Sequence, residues 1–306
     1  MNAQRLGKQL GSREYLTGTD DSRKDHDAVA WVLELDERVR EEWLAALRWV
    51  RTADRIVESA PFGSPLTATP FYELICEWRV VRKGGASTGA HAHLVAPLVT
   101  QWQREQVPES DLRQWDLYLE SLWRYRDPAG LLRSEDDYLR YLKELSGAMF
   151  RMLPYQPAGF SNEVIALGML DQFFNNLRDL AEDVERGLYF YPRSLLAEFS
   201  LSEEDLPNVI ERSDERFVRL HEHLFATLIS KLTLAASPLF FAKGLHPSWR
   251  ALIASVRERY DRIEHVARRC GFNARAFQRS YWSRPRAASA PHVSQVSRWA
   301  LPQGTP

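Results

Sequence analysis

Between residues 39 and 276 the apolar side chains recur at steps of three and four, and alternating β-branched runs are scarce. That period is one face of an α-helix, so the chain is expected to be all-α, with a core built by helices burying such faces against one another. Prolines, glycines and polar clusters at 61–70, 107–109, 127–130, 154–160, Pro192 and 244–247 mark the expected helix ends. No stretch between helices exceeds an ordinary loop. Residues 29–279 are therefore expected to form one domain, preceded by a polar segment (1–28) and followed by a mobile tail (280–306) rich in Ser, Ala and Pro. With 44% hydrophobic residues in 306, one large core is within reach.

Within residues 172–192, QFFNNLRDLAEDVERGLYFYP, the helical steps place Gln172, Asn175, Asp179 and the Glu182/Asp183 pair on one face. Like charges one turn apart cost about 0.2–0.5 kcal/mol per pair in a bare helix, so a positive partner is expected there. Hard oxygen ligands on a helix suit Mg²⁺, which keeps several waters and is shared between one or two carboxylates and a substrate phosphate. Taken alone, the stripe also reads as a solvated face with i,i+4 pairs such as Glu182 with Arg186. The spaced amides before it and the Gly187 and Pro192 stop after it favour the metal-and-anion reading. A second helix, residues 41–59 (EEWLAALRWVRTADRIVES), carries Arg51, Asp54 and Glu58 at i, i+3 and i+7, with Arg55 beside Asp54.

The first stretch resembles the second aspartate-rich motif of the squalene/phytoene synthase family, Q-x-x-N-x-x-R-D-x-x-E-D-x-x-x-G-R-x-Y-x-P. Gln172, Asn175, Arg178, Asp179, Glu182, Asp183, Gly187 and Pro192 fall on it without a gap. The second stretch is similar to the family's first motif, R-x-x-D-D-x-x-D, with Asp54 on its first acidic position and Glu58 on its last. The resemblance implies an isoprenoid-synthase-type helical bundle around a central cavity. It implies a prenyltransferase in which Mg²⁺, or Mn²⁺ in its place, ionises an allylic diphosphate, and a second prenyl diphosphate (farnesyl or geranylgeranyl) attacks the cation head to head. It also implies metal ligation by Asp54, Glu58, Asp179, Glu182 and Asp183, of which Asp54, Glu58, Asp179 and Asp183 are the catalytic set. Arg51 and Arg178 would neutralise phosphate, and Gln172 and Asn175 would orient substrate or a water. Arg55, which stands where the family has a carboxylate, either binds phosphate or repels the metal by about 1–4 kcal/mol per unit charge at 4 Å. A need for NADPH is left open.

Other positions depart from the family pattern. An S-x-S-F element that helps to hold diphosphate is replaced by Asp25, His26, Asp27 and Ala28, the Arg of G-R-x-Y by Leu188, and its Tyr by Phe190. Such changes keep two alternatives in view: a cyclase that ionises one prenyl diphosphate, and a non-catalytic descendant serving assembly or binding. Residues 134–152 look like the family helix that lines the prenyl cavity, and Ser146, Gly147 and Ala148 there would allow either passage of a prenyl chain or close helix packing. Residues 260–273 resemble its closing helix. Asp116 and Asp127 are the two candidates for a further acidic residue.

A net charge of −1 with dispersed basic residues gives no electrostatic reason to expect nucleic acid. Cys76 and Cys270 lie far apart and are expected as free thiols in a reducing, cytoplasmic setting, and the polar amino terminus does not resemble a secretory signal. His91/His93 and His221/His223 are spaced two apart, a poor metal spacing on a helix, and are expected at the surface. No phosphate-binding glycine loop or serine-hydrolase elbow occurs. The best candidate for a membrane segment, residues 232–242, is short of the roughly 18–20 residues that cross a bilayer and is broken by Pro238. It is expected mainly as core, with lining the exit of an apolar cavity or touching a membrane as its other uses, since a C30 or C40 product would not dissolve in water.

Overall fold

The computed structural model describes residue 24 and residues 27–86 and 88–283, and every regular element among them is helical. The chain's internal contacts divide it into two compact units.

The first unit comprises residues up to 127 together with 148–158 and 244–259. Its helices are α1 (Glu37–Glu58), α2 (Pro70–Arg82), α3 (Ala92–Glu105) and α4 (Glu109–Tyr125), followed by the start of a long helix that begins at Pro247. One face of α1 buries Trp43, Ala46, Trp49, Ala53 and Val57, the stripe that its three-and-four spacing demands. Tryptophans dominate this core. Trp78 lies edge-on to Trp102 at 5.1 Å and 5.4 Å from Trp115, while Trp49 meets Trp115 at 5.9 Å. Trp43 contacts Trp31 and Trp249 edge-on at 4.9 and 6.1 Å, and the Trp249 indole donates to the Pro154 carbonyl at 2.8 Å. Offset and edge-on rings bring both area and quadrupole attraction, so this arrangement explains why the chain carries so many indoles.

The second unit comprises residues 128–147, 159–243 and 260 onward. It contains α5 (Glu135–Leu142), α6 (Ser161–Glu185), α7 (Arg193–Glu198), α8 (Leu206–Arg212), α9 (Glu215–Leu224) and α10 (Ser230–Phe241). The later half of α11 (Pro247–Arg269) and α12 (Ala274–Trp282) complete it. Helix α5 starts on a capping box in which Ser134 and Asp137 satisfy each other's backbone N–H groups, and it runs into a π turn, Lys143–Gly147. That turn and α10 are the main neighbours of α6. Gly168 on α6 makes the approach possible, because a Cβ there would lie 2.8 Å from the Ser146 carbonyl carbon and 2.9 Å from Gly147 Cα. The small residues at 146 and 147 therefore serve close backbone packing.

The Gly187 stop expected from sequence is present. Gly187 has φ +73°, the Leu188 N–H reaches the Asp183 carbonyl at 2.8 Å, and the Gly187 N–H reaches Val184 at 3.0 Å, the paired bonds of a Schellman end. The expectation about the apolar run at 232–242 needs correction. A π turn, Phe225–Ile229, joins α9 to α10, and Glu215–Phe241 is one continuous helical stretch of 27 residues, long and apolar enough by composition to cross a membrane. Pro238 does not break it, because the Ser237 hydroxyl donates at 2.8 Å to the Leu234 carbonyl that the missing N–H would have served.

Candidate active site

Each unit carries one of the two stripes. In the first, α1 places Arg51, Asp54 and Arg55 at half-buried positions and Glu58 in solvent. The hydroxyl of buried Tyr118, on α4, donates to Asp54 Oδ1 at 2.8 Å. Burial pushes this phenol well above its ordinary range, the charges of Asp54 and Glu58 add to the rise, and Arg51 opposes it. Tyr118 therefore stays protonated and acts as a donor. Of the two candidates for a further acidic residue, Asp116 is a structural anchor: it accepts from the Trp78 indole at 2.8 Å and pairs with Arg82. Asp127 is exposed at the end of α4.

In the second unit α6 carries the other stripe, in two sections. Toward its middle, Gln172 is held by three neighbours: its Oε1 accepts from Ser146 at 2.6 Å, and its Nε2 donates to Tyr141 Oη at 2.9 Å and Asn176 Oδ1 at 2.8 Å. Asn175 donates from Nδ2 to Asp171 Oδ2 at 2.9 Å, and Asp171 Oδ1 accepts from the buried Tyr260 hydroxyl at 2.8 Å. This fixes the amide of Asn175 and turns its Oδ1 into a buried acceptor without a hydrogen-bond partner. One turn further on, Arg178, only 8% exposed, grips Asp179 with Nε and Nη2 at 2.9 and 2.7 Å, supplying the positive partner that the stacked carboxylates call for.

Asp183 lies on the flank of this stripe, where it lines a small cleft with Tyr138, Asn176, Leu188, Tyr191 and His221. Burial raises the phenols of Tyr141 and Tyr191 well above their usual range, and the Asp183 charge adds to both. Leu188, the replacement for the family's arginine, is buried here, and Phe190 stacks on Tyr141 at 5.4 Å. His221 corrects the expectation of a surface residue, being 1% exposed. Its Nδ1 lies 3.0 Å from the Phe217 carbonyl and its Nε2 3.0 Å from the Tyr191 hydroxyl, so the neutral ring donates to the carbonyl and accepts from tyrosine. Burial lowers its pKa to about 4.

Among the described residues no three His, Cys, Asp or Glu side chains form a ready metal cage. The donor sets suit a hard cation that completes its shell with water and phosphate. Asp54 with Glu58, and Asp179 with Asp183, are carboxylate pairs one turn apart, and the orphaned Asn175 oxygen sits one turn before Asp179. Of the replaced S-x-S-F element, Asp27 is buried, while Asp25 and His26 lie outside the described residues. Sequence reading passed over Tyr118, Tyr141, Asp171, Tyr191 and Tyr260. Nothing in the local pattern of the tyrosines separates them from core residues, whereas Asp171, a carboxylate in an apolar run four residues before Asn175, carried a local signal.

Comparison with known proteins follows the same lines. The squalene/phytoene synthase family profile matches residues 22–286. A 15-cis-phytoene synthase of Synechocystis sp. is 43% identical over 67 residues, 21% of this chain and 19% of that one, and a phytoene synthase of Thermus thermophilus is 33% identical over 104 residues, 31% and 36%. The matched segments thus cover only about a fifth to a third of those relatives. Among solved structures, a dehydrosqualene synthase in complex with ligand superposes with a TM-score of 0.66 at 15% identity, covering 92% of this chain and 97% of the other. Squalene synthase HpnC from Alicyclobacillus acidocaldarius gives 0.63 at 18% identity, covering 89% and 99%. At these identities the two likenesses speak for the all-helical isoprenoid-synthase fold. With the profile spanning the chain from before α1 to beyond α12 and taking in both stripes, this protein belongs to the squalene/phytoene synthase family.

Proposed function

We propose that the protein is a Mg²⁺-dependent prenyltransferase that condenses two prenyl diphosphates, farnesyl or geranylgeranyl, head to head. The observation that carries this reading is the α6 stripe: Gln172, Asn175 and Asp179 are each held by a built hydrogen-bond or ion-pair partner, and an acceptor oxygen is left over beside the carboxylates. A solvated helix face needs none of that construction. Asp54 and Glu58 in the first unit, and Asp179, Glu182 and Asp183 in the second, would each serve as ligands to Mg²⁺, which when bound would neutralise a departing diphosphate. Arg51 and Arg55 supply further positive charge to phosphate oxygens, and Arg178 holds Asp179 in place. Gln172, locked by Ser146 and Tyr141, orients what binds beside it. The buried tyrosines and phenylalanines around α6 keep water from a cation and offer it their π faces.

Peripheral membrane contact from a cytoplasmic location belongs to the same proposal. Leu234 and Phe241 on α10 are 63% and 46% exposed, as an apolar surface serving a water-insoluble product would require.

The test is diphosphate release from farnesyl and geranylgeranyl diphosphate with Mg²⁺, with and without NADPH, followed by mass analysis of the organic extract. A C30 or C40 product supports condensation and identifies the substrate. A C15 or C20 product would replace it by cyclisation of one substrate, which the loss of the phosphate-side arginine to Leu188 favours. No release by folded protein from either substrate refutes the proposal.

A further inference from the structure

Tyr118 belongs to neither stripe, yet its hydroxyl reaches the first one across 64 residues of sequence. The residue is 2% exposed in the core of its unit, and its hydroxyl donates a hydrogen bond to Asp54 Oδ1. With Arg55 in place of a carboxylate, the α1 stripe is left with Asp54 and Glu58 as acidic donors, and Glu58 is exposed on a longer, more flexible side chain. A site with few ligands depends on each being oriented in advance, because a carboxylate already restrained loses less freedom when it takes a cation. Tyr118 supplies that restraint from a rigid position, since its helix is packed through the neighbouring Leu119 and through Trp115 one turn before.

We propose that Tyr118 is a positioning residue that holds Asp54 in the orientation in which it takes a divalent cation together with diphosphate. The inference rests on the proposed function, in which Asp54 is a ligand. It adds a residue outside both motifs, and it predicts an effect that acts only through Asp54.

The probe is Mn²⁺ with inorganic diphosphate, titrated into the full chain and followed by calorimetry and by the electron paramagnetic resonance signal of free Mn²⁺. Tyr118→Phe keeps the ring and its packing and deletes only the donor, and it should weaken binding roughly tenfold. Asp54→Asn should weaken it at least as much, and the double variant should be no weaker than Asp54→Asn alone. Ser121→Ala, which removes a fully buried, unpartnered hydroxyl one turn along the same helix, should bind like the parent. Parent-like binding by Tyr118→Phe, with Asp54→Asn impaired, overturns the role of Tyr118 alone. A loss that persists undiminished in the Asp54→Asn background also overturns it, because the effect then runs through general packing. Parent-like binding by Asp54→Asn overturns the ligand role of Asp54 and this inference with it.

Discussion

Gly168→Ala separates local helix preference from tertiary packing, because the two predict opposite signs. Alanine in a helix interior is favoured over glycine by about 0.5–1 kcal/mol, so propensity alone predicts a more stable protein. The structure predicts the reverse. The new Cβ would meet the Ser146 carbonyl oxygen most closely of all, then the Ser146 carbonyl carbon at 2.8 Å and Gly147 Cα at 2.9 Å. All three are backbone atoms of the π turn, so no side-chain rotation relieves the clash and α6 must shift. Overpacking of a tight core costs about 1–3 kcal/mol, and with backbone on both sides the upper end applies. After the propensity gain the net loss is about 2 kcal/mol. If the second unit melts cooperatively, that lowers its midpoint by about 4–8 °C in differential scanning calorimetry. Gly147→Ala is the comparison, since its Cβ meets the Ile165 methyl at 3.2 Å and carbonyl oxygens only at 3.5 and 3.6 Å, and should cost under about 1 kcal/mol. A Gly168→Ala protein as stable as the parent, or more stable, would refute the close-packing argument.

Three further outcomes are expected. His221 is neutral in the fold with a pKa lowered to about 4, so the unfolded chain takes up its proton first as pH falls from about 6.5; its contribution is constant above that pH, declines by about 3 kcal/mol toward pH 4 and then levels off. Urea midpoints between pH 7.5 and 4.5 should therefore fall less steeply for His221→Gln than for the parent, and equal slopes would count against this origin. Tyr260→Phe withdraws the donor from buried Asp171 and should destabilise by about 1.5–3 kcal/mol, whereas an unchanged denaturation midpoint would mean that Asp171 finds another donor. Asp179→Asn and Asp183→Asn should each lower diphosphate release by about 10²–10³-fold without loss of fold by circular dichroism, and activity near the parent's would remove them from the site.

The helices and the stripes were legible in the sequence because both are written in local steps. Three-and-four spacing made α1 and α6 amphipathic wherever the chain folded, Gly187 could end α6 by taking a positive φ within one turn, and the order of Gln172, Asn175, Asp179 and Asp183 already placed them along one helix edge. A run of motif residues survives translation into structure because it needs no distant partner. Pro238 misled for the same local reason: its ring predicts a break, and only the neighbouring Ser237 hydroxyl, with the π turn upstream, keeps Glu215–Phe241 continuous. What the motif residues meet beyond their own helix depended on packing. The tyrosine donors to Asp54 and Asp171 come from 64 and 89 residues away, and His221 became a core residue because Tyr191 and a carbonyl were there to satisfy it. Sequence period fixes which way a side chain leaves its own helix. Which hydroxyl, carboxylate or ring it meets there is set by how the helices dock, and the free energy of satisfying each buried polar group then decides which of those meetings the fold keeps.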